Sequence, residues 1–128
     1  MTRAQRLKQL LDLQERLRQM HEMKRAGHLA AVAAADRDIA EIMSRKTQED
    51  SLSNLFPDIY SRFVEKTIDR RSEAQARASA EAAHVAAATV RAGMVERSWR
   101  AELEAVERKE QEVAGLEAVE RKLVEDGR

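Results

Sequence analysis

Asp50-Ser51-Leu52-Ser53-Asn54-Leu55-Phe56-Pro57-Asp58 decides how this chain folds, because it holds the only proline in 128 residues. Proline disfavours helical geometry at the residue before it, here Phe56, yet fits a helix's first turn, where its missing N–H is not needed. Ser51, Ser53 and Asn54 can accept hydrogen bonds from the unpaired N–H groups that open a helix, and Asp58 sits where a negative charge suits the helix dipole. The stretch therefore predicts an end, a bend over about 51–57 and a new start.

Either side of the bend the residues favour uninterrupted helix. Alanine contributes 22 residues and the charged types 36%, while only Phe56, Tyr60, Phe63 and Trp99 are aromatic. That composition reads as long helices or coiled coil rather than a compact core of bulky side chains. One helix is expected over about 3–50 and a second over about 57–125, roughly 70 and 100 Å long at ~1.5 Å per residue. Leu7, Leu10, Leu13, Leu17 and Met20 recur at three- and four-residue steps, as one apolar stripe does. The stripe changes phase through Met23, Gly27 and the alanine run, resuming at Leu29, Val32, Ile39 and Met43.

Neither rod can bury its stripe alone. The expected fold is all-α, an elongated antiparallel two-helix coiled-coil hairpin forming one domain over 1–128. Matching stripe to stripe suggests a register whose paired residue numbers sum to about 116. It sets Leu17 near Trp99, Leu13 near Leu103, Leu10 near Val106 and Leu52 near Val64, with alanine-rich 26–40 against 74–92. These six residues, Leu10, Leu13, Leu17, Trp99, Leu103 and Val106, are the predicted core. Trp99 in particular reads as a packing unit against Leu17 and Met20, with a partner anchor as the other option. Residues 1–25 carry net charge +4 and 102–126 net −5, so a hairpin brings opposite arms to one end. The recurrence of Leu103-Glu-Ala-Val-Glu-Arg-Lys109 as Leu116 to Lys122 is compositional, because thirteen residues turn a helix to a different face.

Several function classes fall away. The chain has no cysteine, hence no disulfide framework, thiolate zinc site or thiol nucleophile, as suits a reducing compartment. The longest apolar stretch, Leu29 to Ala35, is far below the ~18–20 residues that span a bilayer, and the N-terminus lacks a secretory apolar region. Zero net charge removes the usual electrostatic case for nucleic-acid binding. A cytoplasmic protein follows. His21 and His28 share a helix face, but without an HExxH pattern they read as structural histidines rather than half a metal site. Carboxylates alternating with Arg and Lys along a rod lack the pocket that acid–base catalysis needs, and the four glycines form no phosphate loop. No enzyme, metal or cofactor is expected.

The bend is where partner recognition would sit. Leu52, Leu55, Phe56, Ile59, Tyr60, Phe63 and Val64 crowd one short window. The simpler reading is a plug sealing the hairpin tip; the other is an exposed cluster that anchors a partner. Arg62, Lys66 and Arg70 follow at four-residue spacing, either a solvated ridge offset by Glu65, Asp69 and Glu73 or a binding surface. Basic residues Arg3, Arg6, Lys8, Arg16 and Arg18 raise a membrane-surface option, which Asp12 and Glu15 interrupt.

Ser98-Trp99-Arg100, the Glu/Arg/Lys/Leu-rich Leu103 to Lys122, Ile59-Tyr60-Ser61-Arg62-Phe63-Val64 and the opening stripe Arg6 to Leu11 together resemble the FliJ family. These are small soluble components of bacterial flagellar type III export, with YscO-like relatives in injectisomes. The likeness covers nearly the whole chain as architecture, through motifs of low specificity. This chain is shorter and richer in alanine than the family pattern. The resemblance implies a stalk-like two-helix coiled coil that enters the export ATPase ring through its paired termini, contacts the export gate and handles export chaperones, at the cytoplasmic face of the inner membrane. Tyr60, Arg62, Phe63 and Lys66 are then the candidate gate contacts. The competing class is a generic coiled-coil scaffold or holdase-like chaperone unrelated to secretion.

Overall fold

The computed structural model describes residues 1–47 and 55–127. Two helices account for nearly all of them: α1 (Arg3–Lys46) and α2 (Pro57–Asp126), packed against each other as an antiparallel hairpin, with no strand among the described residues. The predicted caps at Ser51, Ser53 and Asn54, and the Leu52–Val64 contact, lie outside the described residues.

Local chemistry sets the helix ends. At the start of α1, Thr2 and Gln5 form a reciprocal capping box: the Thr2 N–H donates to Gln5 Oε1 (2.9 Å) and the Gln5 N–H to Thr2 Oγ1 (3.1 Å). The sequence signal for it is Thr2-Arg3-Ala4-Gln5, a T-x-x-Q pattern. At its other end α1 is described to Lys46, and the Thr47 hydroxyl donates to the Ser44 carbonyl (2.8 Å); residues 48–50 of the expected helix lie outside the described residues. Helix α2 opens where the proline predicts, with Phe56 outside it and its carbonyl accepting from the Tyr60 N–H at 3.2 Å.

The chain divides into two compact units. The first comprises Met1–Glu15 with Thr89–Arg128. Its buried residues are Leu11 and Ala92, with Ala4, Leu7 and Gln14 of α1 and Val95, Trp99 and Glu102 of α2 half-buried around them. The second unit, Arg16–Ala88, buries Val32, Ala35 and Ile42 of α1 and Thr67, Ala74, Ala78 and Ala88 of α2. The Thr67 hydroxyl, 3% exposed, donates to the Phe63 carbonyl (2.9 Å), so the one buried polar side chain among that unit's described residues is satisfied.

In both units the inward positions follow a heptad, which only Arg25, exposed between His21 and His28, interrupts among the described residues. On α1 they are Ala4, Leu7, Leu11 and Gln14 in the first unit, then Arg18, His21, His28, Val32, Ala35, Ile39 and Ile42 in the second. On α2 they are Tyr60, Val64, Thr67, Arg71, Ala74, Ala78, Glu81, Val85 and Ala88, then Ala92, Val95, Trp99 and Glu102. The expected stripe is corrected. Leu10, Leu13 and Met20 are 40–52% exposed, and Leu103 and Val106 are 43% and 42% exposed. Leu17 and Trp99 are half-buried. There is no change of phase at Met23–Gly27. The larger apolar residues of α1 drew the reading one residue off the heptad, which passes through Gln14, Arg18 and His21. Alanines along the α2 seam let the axes approach closely, and small or flexible polar residues fill that narrow space better than a row of leucines.

The register is corrected as well. In the second unit Arg71 Nε pairs with Asp36 Oδ1 (2.5 Å), Arg70 with Asp38 Oδ2 (2.6 Å) and the Tyr60 hydroxyl with the Ile42 carbonyl. In the first unit Arg3 pairs with Glu102 (3.5 Å) and the Lys8 ammonium lies 5.0 Å from the Trp99 ring centroid. Paired residue numbers therefore sum to 102–108 rather than 116, about three helical turns away. Residues 36–38 face 70–71, not the alanines nearer 80. The oppositely charged arms meet at Arg3 and Glu102, and most of the acidic stretch runs past the start of α1.

Candidate functional site

Three places in the molecule gather recognisable chemistry. The first lies at the beginning of α2, in the second unit. Ile59, Arg62, Phe63 and Lys66 surround a shallow hollow of about 200 Å³, with Ile59 64% and Phe63 59% exposed. Leu55 and Phe56, just before the helix, are exposed too. The plug reading is thus corrected for Leu55, Phe56, Ile59 and Phe63, which face solvent. Three of the four predicted gate residues, Arg62, Phe63 and Lys66, share this surface. Tyr60 does not: its ring is half-buried on the α1 side, and its hydroxyl donates to the Ile42 carbonyl beside Met43 and Val64. Its place in the heptad, four residues before Val64, is the signal that separates it from Phe63. Arg70 leaves the predicted basic ridge for Asp38, whereas Arg62 and Lys66 pair with no carboxylate among the described residues. The result is an apolar patch with an aromatic ring, edged by two cations that pair with no carboxylate among the described residues.

The second place is the polar middle of the second unit. His21 Nδ1–H donates to Glu81 Oε2 at 2.5 Å, and the His21 ring stacks on His84 with centroids 4.7 Å apart and planes 21° from parallel. Hydrogen bonding from His21 holds the Glu81 carboxyl below its ordinary range, against a smaller opposing effect of burial. His21 thus partners groups on α2 rather than His28, and no set of three His, Cys, Asp or Glu among the described residues is arranged to hold a metal. Both side chains are largely enclosed, at 19% and 15% exposure, so the pair reads as the polar filling of a narrow seam.

The third place is in the first unit. Met1, Ala4, Gln5, Lys8, Gln9, Trp99 and Leu103 line an open groove of about 610 Å³. Trp99 forms one wall, and Lys8 lies over its ring. Leu17 and Met20 are replaced as its predicted neighbours by Lys8. A half-buried indole of this kind falls short of the ~3–5 kcal/mol that truncating a fully buried one costs.

No helix among the described residues is long and apolar enough to cross a membrane. Compared with known proteins, the chain matches no family model, no curated protein and no solved structure.

Proposed function

We propose that this chain is a non-enzymatic recognition protein of the FliJ kind, a coiled-coil component of flagellar or related type III export. It works at the cytoplasmic face of the inner membrane, where it engages the export ATPase ring and the export gate and assists export chaperones. The observation that carries this reading is the exposed patch of Ile59, Arg62, Phe63 and Lys66. An aromatic ring and flanking cations on one exposed helix face are the ingredients of an interface anchor. Arg62, Phe63 and Lys66 contact the gate, and Tyr60 fixes the start of α2 against α1 beneath them. The acidic end of α2 supplies the arm for the ring.

The test is ATP turnover and ring assembly by the flagellar-type ATPase of the same organism, with and without this protein. Saturable stimulation that weakens when the acidic residues of the α2 end are reversed in charge supports the reading. Alanine at Arg62, Phe63 and Lys66 should spare that stimulation and abolish export-dependent motility. A well-folded helical protein without effect on the ATPase points to the second reading, a coiled-coil scaffold or holdase-like chaperone. The exposed Val113, Leu116 and Leu123 favour that alternative, since they could hold apolar segments of a client.

A further inference from the structure

The heptad of α2 does not stop where α1 begins. The capping box of Thr2 and Gln5 closes α1, and Glu102 is the last half-buried seam position. In the same phase the next positions are Val106, Lys109, Val113, Leu116, Glu120 and Leu123, and every residue from 103 to 127 is exposed. Val113 is 48%, Leu116 70% and Leu123 66% exposed. Three heptads of seam thus continue an established interface and are covered by none of the described residues. Four apolar residues in six at alternating three- and four-residue steps is a pattern that other helices bury.

We propose that the occupant is the same segment of a second copy, laid antiparallel, so that two chains join through residues 105–126. The two polar positions select this partner and this direction. In an antiparallel pair centred between Ala114 and Gly115, Val106 meets Leu123 of the second copy and Val113 meets Leu116. Lys109 then meets Glu120, twice over. A parallel pair stacks Lys109 on Lys109 and Glu120 on Glu120 inside the seam, where like charges oppose association. The antiparallel arrangement carries one cost, Glu110 facing Glu117 at the water edge, where solvent and salt screen it. The second copy's Glu125 and Asp126 arrive at the level of residues 103–104, against the start of α1 beside Arg3, where Met1 and Thr2, which precede the helix, must give way and opposite helix-dipole ends meet. This assembly does not depend on the export reading, although it occupies the same acidic arm.

The experiment is sedimentation equilibrium of the full chain from ~1 µM to ~1 mM, a span covering weak to moderate self-affinity. A monomer–dimer equilibrium is expected. Lys109→Glu and Glu120→Lys should each weaken the dimer at least ~10-fold by placing like charges in two seam layers. The double variant Lys109→Glu/Glu120→Lys should restore it, and so should mixing the two single variants. These residues are exposed in the monomer, so its helicity by circular dichroism should not change. With no native cysteine, Glu125→Cys gives a unique spin-label site. Label-to-label distances above ~30 Å are expected, because antiparallel pairing sets residue 125 some twenty residues along the axis from its counterpart. A chain that stays monomeric throughout, leaving the seam to a different protein, overturns the proposal. So does a dimer indifferent to Lys109→Glu, or one with a short distance at position 125.

Discussion

One heptad runs along α2, and its two stretches are built in opposite ways. From Tyr60 to Glu102 the positions facing α1 include Thr67, Ala74, Ala78, Ala88 and Ala92, and these are the buried residues of the helix. From Val106 to Leu123 the same phase carries Val106, Val113, Leu116 and Leu123, and all are exposed. Side-chain size thus runs opposite to burial. Alanine is inside because two helices approach closely there, and closeness rather than bulk excludes water. Valine and leucine are outside because α1, as described from Arg3, does not pack against them. A hydrophobic stripe records what a face can pair with, and only the register says whether the partner is present.

The sharpest way to break the comparison is to put bulk where the chain uses alanine. Ala78 is 2% exposed. Ala78→Leu should lower stability by about 1–3 kcal/mol, since an overpacked seam forces the helices apart or the side chain off its rotamer. Chemical denaturation followed by far-UV circular dichroism measures it, and a variant as stable as the parent would mean that the seam is loosely packed. Next in size is the Tyr60 hydroxyl. Tyr60→Phe removes its bond to the Ile42 carbonyl and should cost about 1 kcal/mol, while leaving the exposed Phe63 patch unaltered. Loss of export-dependent motility from Phe63→Ala, without the same loss from Tyr60→Phe, would separate recognition from positioning.

A smaller effect comes from acid. The lowered Glu81 carboxyl adds stability that is fully present above the ordinary glutamate range and is lost as pH falls through its folded value. Stability should therefore decline on the acid side. Glu81→Gln should flatten that limb, because the amide keeps the shape and gives up the titration. Melting midpoints measured downward from neutral pH check it, and an unchanged acid limb would locate the acid sensitivity in other carboxylates.

How much of this was legible beforehand follows from which residues carry the signal. Pro57, the alanine content and the scarcity of aromatics announce two helices, and the second begins at the proline. The register was not legible from apolar matching, because the seam of α1 runs through Gln14, Arg18, His21 and His28, which no hydrophobic stripe would select. Leu10 and Leu11 are adjacent, and choosing Leu10 shifted the whole face by one residue. Reading charge across the bend would have done better: Asp36 and Asp38 against Arg70 and Arg71 fix the offset to within a turn. Of the four residues singled out by their position at the bend, Arg62, Phe63 and Lys66 share one exposed surface, whereas Tyr60 sits in the heptad facing α1.

The smallest expected effect is the most discriminating. Leu116 is a large apolar residue, and truncating such a side chain in a core costs ~2–5 kcal/mol. At 70% exposure it has little burial to lose, and alanine is the better helix former. Leu116→Ala should leave the dilute protein within ~0.5 kcal/mol of the parent, in contrast to Ala78→Leu. Raising the concentration adds a second readout. If residues 105–126 pair between copies, the parent gains thermal stability with concentration by mass action, and Leu116→Ala loses that gain because it thins two seam layers of the dimer. A large loss already present at high dilution would instead mean that this stretch is buried within a single chain. Equal stability for variant and parent at both extremes would leave the bulky end of α2 to a different protein.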